Sequence, residues 1–240
     1  MQGLTILVIN PNTSIPMTRE IHKSAQKAAS KTTKIITVSS KRGPKVIEGP
    51  VDQAFSIPGM LEVARKMEGQ FHGIISACFS DPGLEALKFA FGVPVIGIRE
   101  SSFHIASLMG DTFSVISLYE GAEGKIRYFA RLKGREEKLL SVEYADITVS
   151  DLESGSPGIE KAIYKAAKAA VDKGADSLIF GCAGIGKVLP KIESRFEVPC
   201  INSVESAVKV MEGILYFCQG KTFKGIPFKT EIAGYPDLFL

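Results

Sequence analysis

Residues 73–83 read G-I-I-S-A-C-F-S-D-P-G, and residues 177–186 read S-L-I-F-G-C-A-G-I-G. Each is a short apolar run that meets a cysteine and then turn-forming residues. Such runs, bounded by turn signals, suit strands buried on both faces of a parallel sheet. The two stretches sit inside a longer echo. Ala77-Cys78 is answered by Gly181-Cys182, Val93-Pro94 by Val198-Pro199 and Glu100-Ser101 by Glu205-Ser206, at offsets of 104, 105 and 105 residues; Pro58-Gly59 and Pro157-Gly158 form a fourth pair at 99. An offset so long and so nearly constant excludes a solenoid and predicts two copies of one α/β unit.

Outward from these landmarks, Val- and Ile-rich runs mark eight strands: Leu4–Ile9, Thr33–Val38, Gly73–Ala77, Val93–Ile98, Thr112–Ser117, Val142–Val149, Ser177–Phe180 and Val198–Ile201. Helical patterns lie between most of them. In Gly158–Lys173, Ile159, Ile163, Ala166, Ala167, Ala170 and Val171 fall on one face, the spacing of a helix laid on a sheet. Strand and helix in alternation predict parallel sheets covered on both sides. The expected fold is therefore α/β: two similar parallel-sheet units related by a pseudo-twofold axis, with the active site in the cleft between them. Residues 1–110 form the first unit and 111–202 the second, and a C-terminal helix over about 203–240 packs back on the first. Ser39–Phe55 reads as a long irregular segment with two Gly-Pro turns, of the kind that often carries function.

The chain has 240 residues, 45% hydrophobic and 23% charged, ordinary globular values that exclude a disordered or coiled-coil protein. Its net charge is +3, with 12 basic and 10 acidic residues up to position 120 and 17 and 16 after it. Without a basic face at this resolution, neither nucleic acid nor an anionic membrane is expected as a partner. No run approaches the roughly 18 apolar residues of a membrane span, and the N-terminus has no basic n-region. The four cysteines, at 78, 182, 200 and 218, form no C-x-x-C pair and have no histidine cluster nearby, so no metal site is expected. A reducing cytoplasm is the expected compartment.

Ligands of parallel sheets bind beyond the carboxyl ends of the strands. Three junctions stand there: Asn10-Pro11-Asn12-Thr13-Ser14, Cys78-Phe79-Ser80-Asp81-Pro82-Gly83 and Cys182-Ala183-Gly184-Ile185-Gly186. An isolated strand-end cysteine is usually a small hydrophobe; the same placement in both units favours a functional pair. Two thiols related by a twofold axis suit a reaction that removes a proton from one face of a stereocentre and returns one to the other. Thiolate is a good base and thiol a workable acid near neutrality, and a following helix N-terminus is expected to lower both pKa values.

These motifs, with Ile6-Leu7-Val8-Ile9-Asn10-Pro11-Asn12-Thr13-Ser14 and Val93-Pro94-Val95-Ile96-Gly97-Ile98, resemble the aspartate/glutamate racemase superfamily, and within it the hydantoin racemase branch that includes allantoin racemases. The resemblance runs from residue 4 to about 217. It implies a cofactor-independent racemase of 5-substituted hydantoins or allantoin with Cys78 and Cys182 as the acid/base pair, and a small-molecule substrate held by Asn12, Gly49, Pro50, Phe79, Ser80, Ser117, Ala183 and Gly184. Amino-acid racemases of the superfamily often carry Thr-His after the second cysteine; Ala183-Gly184 stands here, which suits a flat neutral ring better than an α-carboxylate. Backbone N–H groups at the turns would stabilise an enolate oxygen. A homo-oligomer is expected.

Other classes fit these residues less well. Within the superfamily, aspartate or glutamate racemases and maleate isomerases are the alternatives, whereas the decarboxylase has one cysteine. A non-enzymatic two-lobed binding protein is the alternative of another class, disfavoured by the paired cysteines. Gly181-Cys182-Ala183-Gly184-Ile185-Gly186-Lys187-Val188 almost spells a P-loop, but Val188 replaces the magnesium-binding hydroxyl and Pro190 fits only a first helical turn. Cys200 and Cys218 read as core residues, His104 as a helical histidine, and Glu100 and Glu205 as helix-opening acids. The Lys41-Arg42-Gly43-Pro44-Lys45 stretch reads as a solvated loop.

Overall fold

The computed structural model describes residues 3–218. The first unit runs β1 (Leu4–Asn10), α1 (Ile15–Ala28), β2 (Thr33–Ser39), α2 (Pro50–Lys66), β3 (Gly73–Ser76), α3 (Leu84–Ala90), β4 (Val95–Gly97) and α4 (Ile98–Met109). The second runs β5 (Phe113–Ser117), α5 (Glu123–Leu132), β6 (Leu139–Tyr144), α6 (Val149–Ser154), α7 (Ile159–Asp172), β7 (Leu178–Phe180), α8 (Leu189–Glu193), β8 (Cys200–Asn202) and α9 (Ser203–Cys218). Each unit has one four-stranded sheet, ordered β2-β1-β3-β4 and β6-β5-β7-β8, and every pairing is parallel. The strand order is the same in both, as duplication requires.

Periodicity explains the helices. In α7, Ile159, Ile163, Ala166, Ala167 and Ala170 are buried, and in α1 Met17, Ile21, Ala25 and Ala28 are, behind a Ser14 cap that accepts from the Met17 N–H. One apolar core runs through both units, joining Ile6, Val8 and Ile75 of the first sheet to Val115, Val142 and Ile179 of the second. Separate clusters fill the outer face of each sheet. Phe103 of α4 is fully buried at the junction, with ring centroids 5.0 Å from Phe113, 5.6 Å from Phe129 and 6.4 Å from Phe79. Burying one such ring is worth about 2–3 kcal/mol, with a further contribution from the aromatic pairs.

The last helix of each unit crosses to the other. Helix α9 lies against β1, β3 and β4, while α4 reaches β7 and β8. The two helices touch each other, with Ser102 Oγ 3.1 Å from Ser206 Oγ. The expected continuation of the C-terminal helix to residue 240 lies outside the described residues.

Three expectations change. The sixth strand covers Leu139–Tyr144 and not Val142–Val149, because Thr148 and Asp151 form a reciprocal cap that starts α6: the Thr148 hydroxyl accepts from the Asp151 N–H and the Asp151 carboxylate accepts from the Thr148 N–H. The segment after β2 is irregular only as far as Gly49, since Asp52 accepts from the N–H groups of Glu48 and Gly49 and α2 begins at Pro50. The Pro-Gly pairs are not equivalent. Pro157-Gly158 precedes α7, whereas Pro58-Gly59 lies inside α2. There Gly59 packs so tightly on the loop that a Cβ would stand 1.9 Å from Ser40 Oγ and 2.4 Å from the Arg42 carbonyl oxygen.

Among the described residues, no helix is long and apolar enough to cross a membrane.

Candidate active site

Strands β1, β3, β5 and β7 are neighbours in their sheets, and their carboxyl ends deliver Asn10, Cys78, Ser117 and Cys182 to one place. A cavity of about 350 Å³ lies between the units, lined by Asn10, Asn12, Cys78, Phe79, Ser80, Ser117, Cys182 and Ala183 at its strand-end side. Seven of the residues expected from sequence are thereby brought together. Gly49 and Pro50 are not in the lining; their neighbours Ile47 and Glu48 are, because Gly49 and Pro50 are taken up in starting α2. Gly184 is also outside it, buried so close to Met17 that a Cβ would stand 2.7 Å from the sulfur.

The floor is built by short-range polar bonding. Asn10 Nδ2 donates to Asn12 Oδ1 at 2.8 Å and to Thr18 Oγ1 at 2.9 Å, and Asn12 Oδ1 accepts from the Ser14 N–H at 2.9 Å. Both amides are buried and have partners, so their orientation is set before any ligand arrives. Ser117 Oγ donates to the Tyr119 carbonyl at 3.1 Å.

The two cysteine sulfurs are each bonded by the backbone N–H two residues further on. Cys78 Sγ lies 3.3 Å from Ser80 Oγ and also takes the Ser80 N–H, while Cys182 Sγ takes the Gly184 N–H. Gly184 thus serves through its backbone. Burial raises the Cys78 thiol above its ordinary pKa, opposed by the two Ser80 bonds, and pushes the Cys182 thiol up to about 12. The expected lowering by helix ends is overturned. Residues 79–83 separate Cys78 from α3, and Cys182 caps only a single 3₁₀ segment, Ala183–Lys187. Desolvation then outweighs what remains of the helix-end field, and both thiols are protonated in the ligand-free pocket at neutral pH. The P-loop alternative fails here too, because this 3₁₀ segment replaces the long helix that would follow a phosphate loop.

Three features have no counterpart in the sequence reading. The first is the outer wall, where α5 presents Ile126, Phe129 and Leu132 to the cavity; the apolar spacing of that helix was the available signal. Tyr119 is the second. Its hydroxyl donates to the Glu48 carbonyl at 2.6 Å and ties the second unit to the loop of the first beside the cavity.

The third is a buried ion pair. Asp81, at φ 49°, lies in the left-handed region that an L-residue adopts at a cost. Its carboxylate accepts from the N–H groups of Arg99 (3.1 Å) and Glu100 (2.9 Å), capping α4. The Arg99 guanidinium lies over the Phe129 ring at 3.8 Å, donates through Nη2 to the Ser80 carbonyl at 3.0 Å, and lines the cavity. Burial raises Asp81 to about 6, against the pull of Arg99 and the two backbone N–H groups. Glu100, read from sequence as a helix-opening acid, is bonded to Lys133 at 2.6 Å. His104 is not in the lining of the cavity.

No group of three or more His, Cys, Asp or Glu among the described residues is arranged to hold a metal ion. Chemically, the cavity offers two thiols from symmetry-related positions, amide and hydroxyl groups beside them, and an apolar outer wall.

A model of the Asp/Glu/hydantoin racemase family matches residues 6–211. The chain is 33% identical over 242 residues to a hydantoin racemase of Pseudomonas sp. (strain NS671), covering 98% of this chain and 97% of that one. It is 32% identical over 215 residues to a hydantoin racemase of Paenarthrobacter aurescens, covering 88% and 91%. Among solved structures, the allantoin racemase from Klebsiella pneumoniae superposes with a TM-score of 0.86 at 31% identity, covering 90% of this chain and 89% of that one.

Proposed function

The chain belongs to the Asp/Glu/hydantoin racemase family and is an isomerase, a racemase, and on that premise we propose that it inverts C5 of 5-substituted hydantoins or of allantoin, with Cys78 and Cys182 as the acid/base pair. The observation that carries this reading is the opening of two cysteines, one from each unit and each at the same strand end, onto one cavity.

In the proposed reaction one sulfur, as thiolate, takes the C5 proton from one face. The C–H electron pair passes into the ring carbonyl, giving a planar enolate. The other sulfur, as thiol, returns a proton to the opposite face, so the ring leaves inverted and the protonation of the two sulfurs has exchanged. The mirror-image substrate uses them in reverse. Asn12, Ser80 and Ser117 supply polar groups for the ring edge, and Ile126, Phe129 and Leu132 an apolar surface for the C5 substituent. Ala183 and Gly184 after Cys182 leave no side-chain donor for an α-carboxylate there, which favours a ring over a free amino acid. Because burial holds both thiols protonated, the active form must offset that cost by bonds to the sulfur or by nearby positive charge.

Purified protein given single enantiomers of benzylhydantoin, allantoin, aspartate and glutamate, followed by chiral chromatography, tests this. Loss of optical purity in a hydantoin or allantoin and not in the amino acids is expected. Turnover of the amino acids alone would overturn the substrate class.

A further inference from the structure

Duplication makes the two cysteines equivalent in backbone, yet the charge around them is not duplicated. By the offsets of 104 and 105 residues that relate the cysteines and the Val-Pro pairs, Ile185 and Val204 stand in the second unit where Asp81 and Arg99 stand in the first. Both are fully buried aliphatic residues. Cys182 thus has apolar residues at the positions where Cys78 has an ion pair, and the carboxylate acting on it, Glu153 of α6, opposes a thiolate.

Arg99 is placed to act on Cys78 in two ways. Through Nη2 it holds the carbonyl of Ser80, the residue whose hydroxyl and N–H both bond the Cys78 sulfur. Its side chain is only 11% exposed, and Nε, 4.0 Å from the Asp81 carboxylate, has no hydrogen-bond partner. A guanidinium has five N–H donors; among the described residues one is engaged by a protein acceptor. A desolvated cation that spends so little of its capacity on the protein exerts its field on whatever shares the cavity.

We propose that Arg99 is a positioning residue for the Cys78 half of the site, fixing the Cys78–Ser80 turn and favouring the thiolate at Cys78 over that at Cys182. The inference rests on the reading of these cysteines as the working pair. The groups facing Cys78 are Ser80 and Asp81 on its own turn, Arg99 from α4, Tyr119 after β5 and Cys182 after β7; Glu48 and Lys125 line the cavity as well. Of these, Asp81 opposes a Cys78 thiolate more than the Arg99 charge by itself supports it, and the larger support comes from the two Ser80 bonds to the sulfur, on the residue whose carbonyl Arg99 holds. The ligand-free enzyme therefore ionises first at Cys78, and the substrate whose C5 proton faces that sulfur is the one it is ready to receive.

Iodoacetamide reacts with thiolate, so its rate at each cysteine, read by peptide mass spectrometry from about pH 6 to 10, tests the bias. Wild type is expected to label Cys78 about tenfold faster than Cys182, and Arg99→Lys to keep most of that preference because an ammonium can still donate to the Ser80 carbonyl. The double variant Arg99→Met with Asp81→Asn removes the donor that holds the Ser80 carbonyl together with both charges, and leaves no orphaned carboxylate. Its preference is expected to fall to within about threefold, through slower labelling of Cys78 alone, with kcat lowered more than KM is raised. Faster labelling of Cys182 in wild type overturns the proposal without any variant, as does an unchanged preference in the folded double variant. Wild-type chiral turnover is measured on the same preparation. Absence of racemisation with the labelling bias intact would sink the proposed function and leave the role of Arg99 standing.

Discussion

Cys78 and Cys182 stand 104 residues apart at the same point of the same strand order, and each sulfur is bonded by the N–H two residues further on, from Ser80 and from Gly184. Equivalent placement in two facing units allows one sulfur to each side of a planar intermediate. Cys78→Ser and Cys182→Ser are each expected to lower racemisation about 10²- to 10⁴-fold, since a serine hydroxyl is a poor acid and base near neutrality. Exchange of the C5 hydrogen with D₂O should survive for one enantiomer in each variant, and for opposite enantiomers in the two. Full racemase activity in either variant would remove that cysteine from the mechanism.

The two-unit architecture was legible because parallel strands buried on both faces are written as continuous Val and Ile runs, and because three landmark pairs keep one offset. The strand-end cysteines followed from the same offset. What stayed hidden is of another kind. Arg99 is one residue from the Glu100-Ser101 landmark, but nothing in the spacing shows that Asp81, 18 residues earlier, turns its carboxylate onto the N–H groups of Arg99 and Glu100. That contact depends on a left-handed Asp81 and on the absence of a side chain at Gly97, both properties of packing. Gly49 and Pro50 enter the expected pocket through the family resemblance alone; Gly-Pro reads as a turn but also opens a helix, and here Asp52 decides for the helix.

Tyr119 bridges the units through the Glu48 carbonyl, at the loop whose Ile47 and Glu48 help to close the cavity. Tyr119→Phe keeps the ring and removes the bond. KM is expected to rise about three- to tenfold with kcat changed little, and stability to fall by ~1 kcal/mol, the net worth of one hydrogen bond. Steady-state kinetics and urea melts check both. An unchanged KM would show that the loop is held by other contacts.

Gly97 is required by close approach. A Cβ there would lie 2.1 Å from Asp81 Cγ, so Gly97→Ala must drive the carboxylate off the α4 N-terminus. A loss of about 2–3 kcal/mol in chemical denaturation is expected, from overpacking together with the lost cap. Gly213→Ala in α9 is the contrast, since its Cβ meets nothing within 4 Å. There the higher helix propensity of alanine should raise stability by about 0.5–1 kcal/mol. Equal tolerance of alanine at both positions would mean that the Asp81 carboxylate has room to move.

Asp81 also makes a pH-dependent contribution whose sign can be worked out. Its folded-state pKa is raised from 3.8 to about 6, chiefly by burial, so the folded chain binds this proton more tightly than the unfolded chain does. The stability that follows is fully present below 3.8 and is lost as pH rises through about 6. Asp81→Asn cannot titrate, and its amide keeps only one oxygen for the two N–H groups of Arg99 and Glu100. The stability of wild type relative to Asp81→Asn should therefore be greater at about pH 4 than at about pH 7. Parallel melts of the two proteins across that range measure the difference, and the acid titration of all other groups cancels between them. A gap that widens as pH rises would mean that Arg99 and the two backbone N–H groups hold Asp81 ionised, with burial the smaller effect.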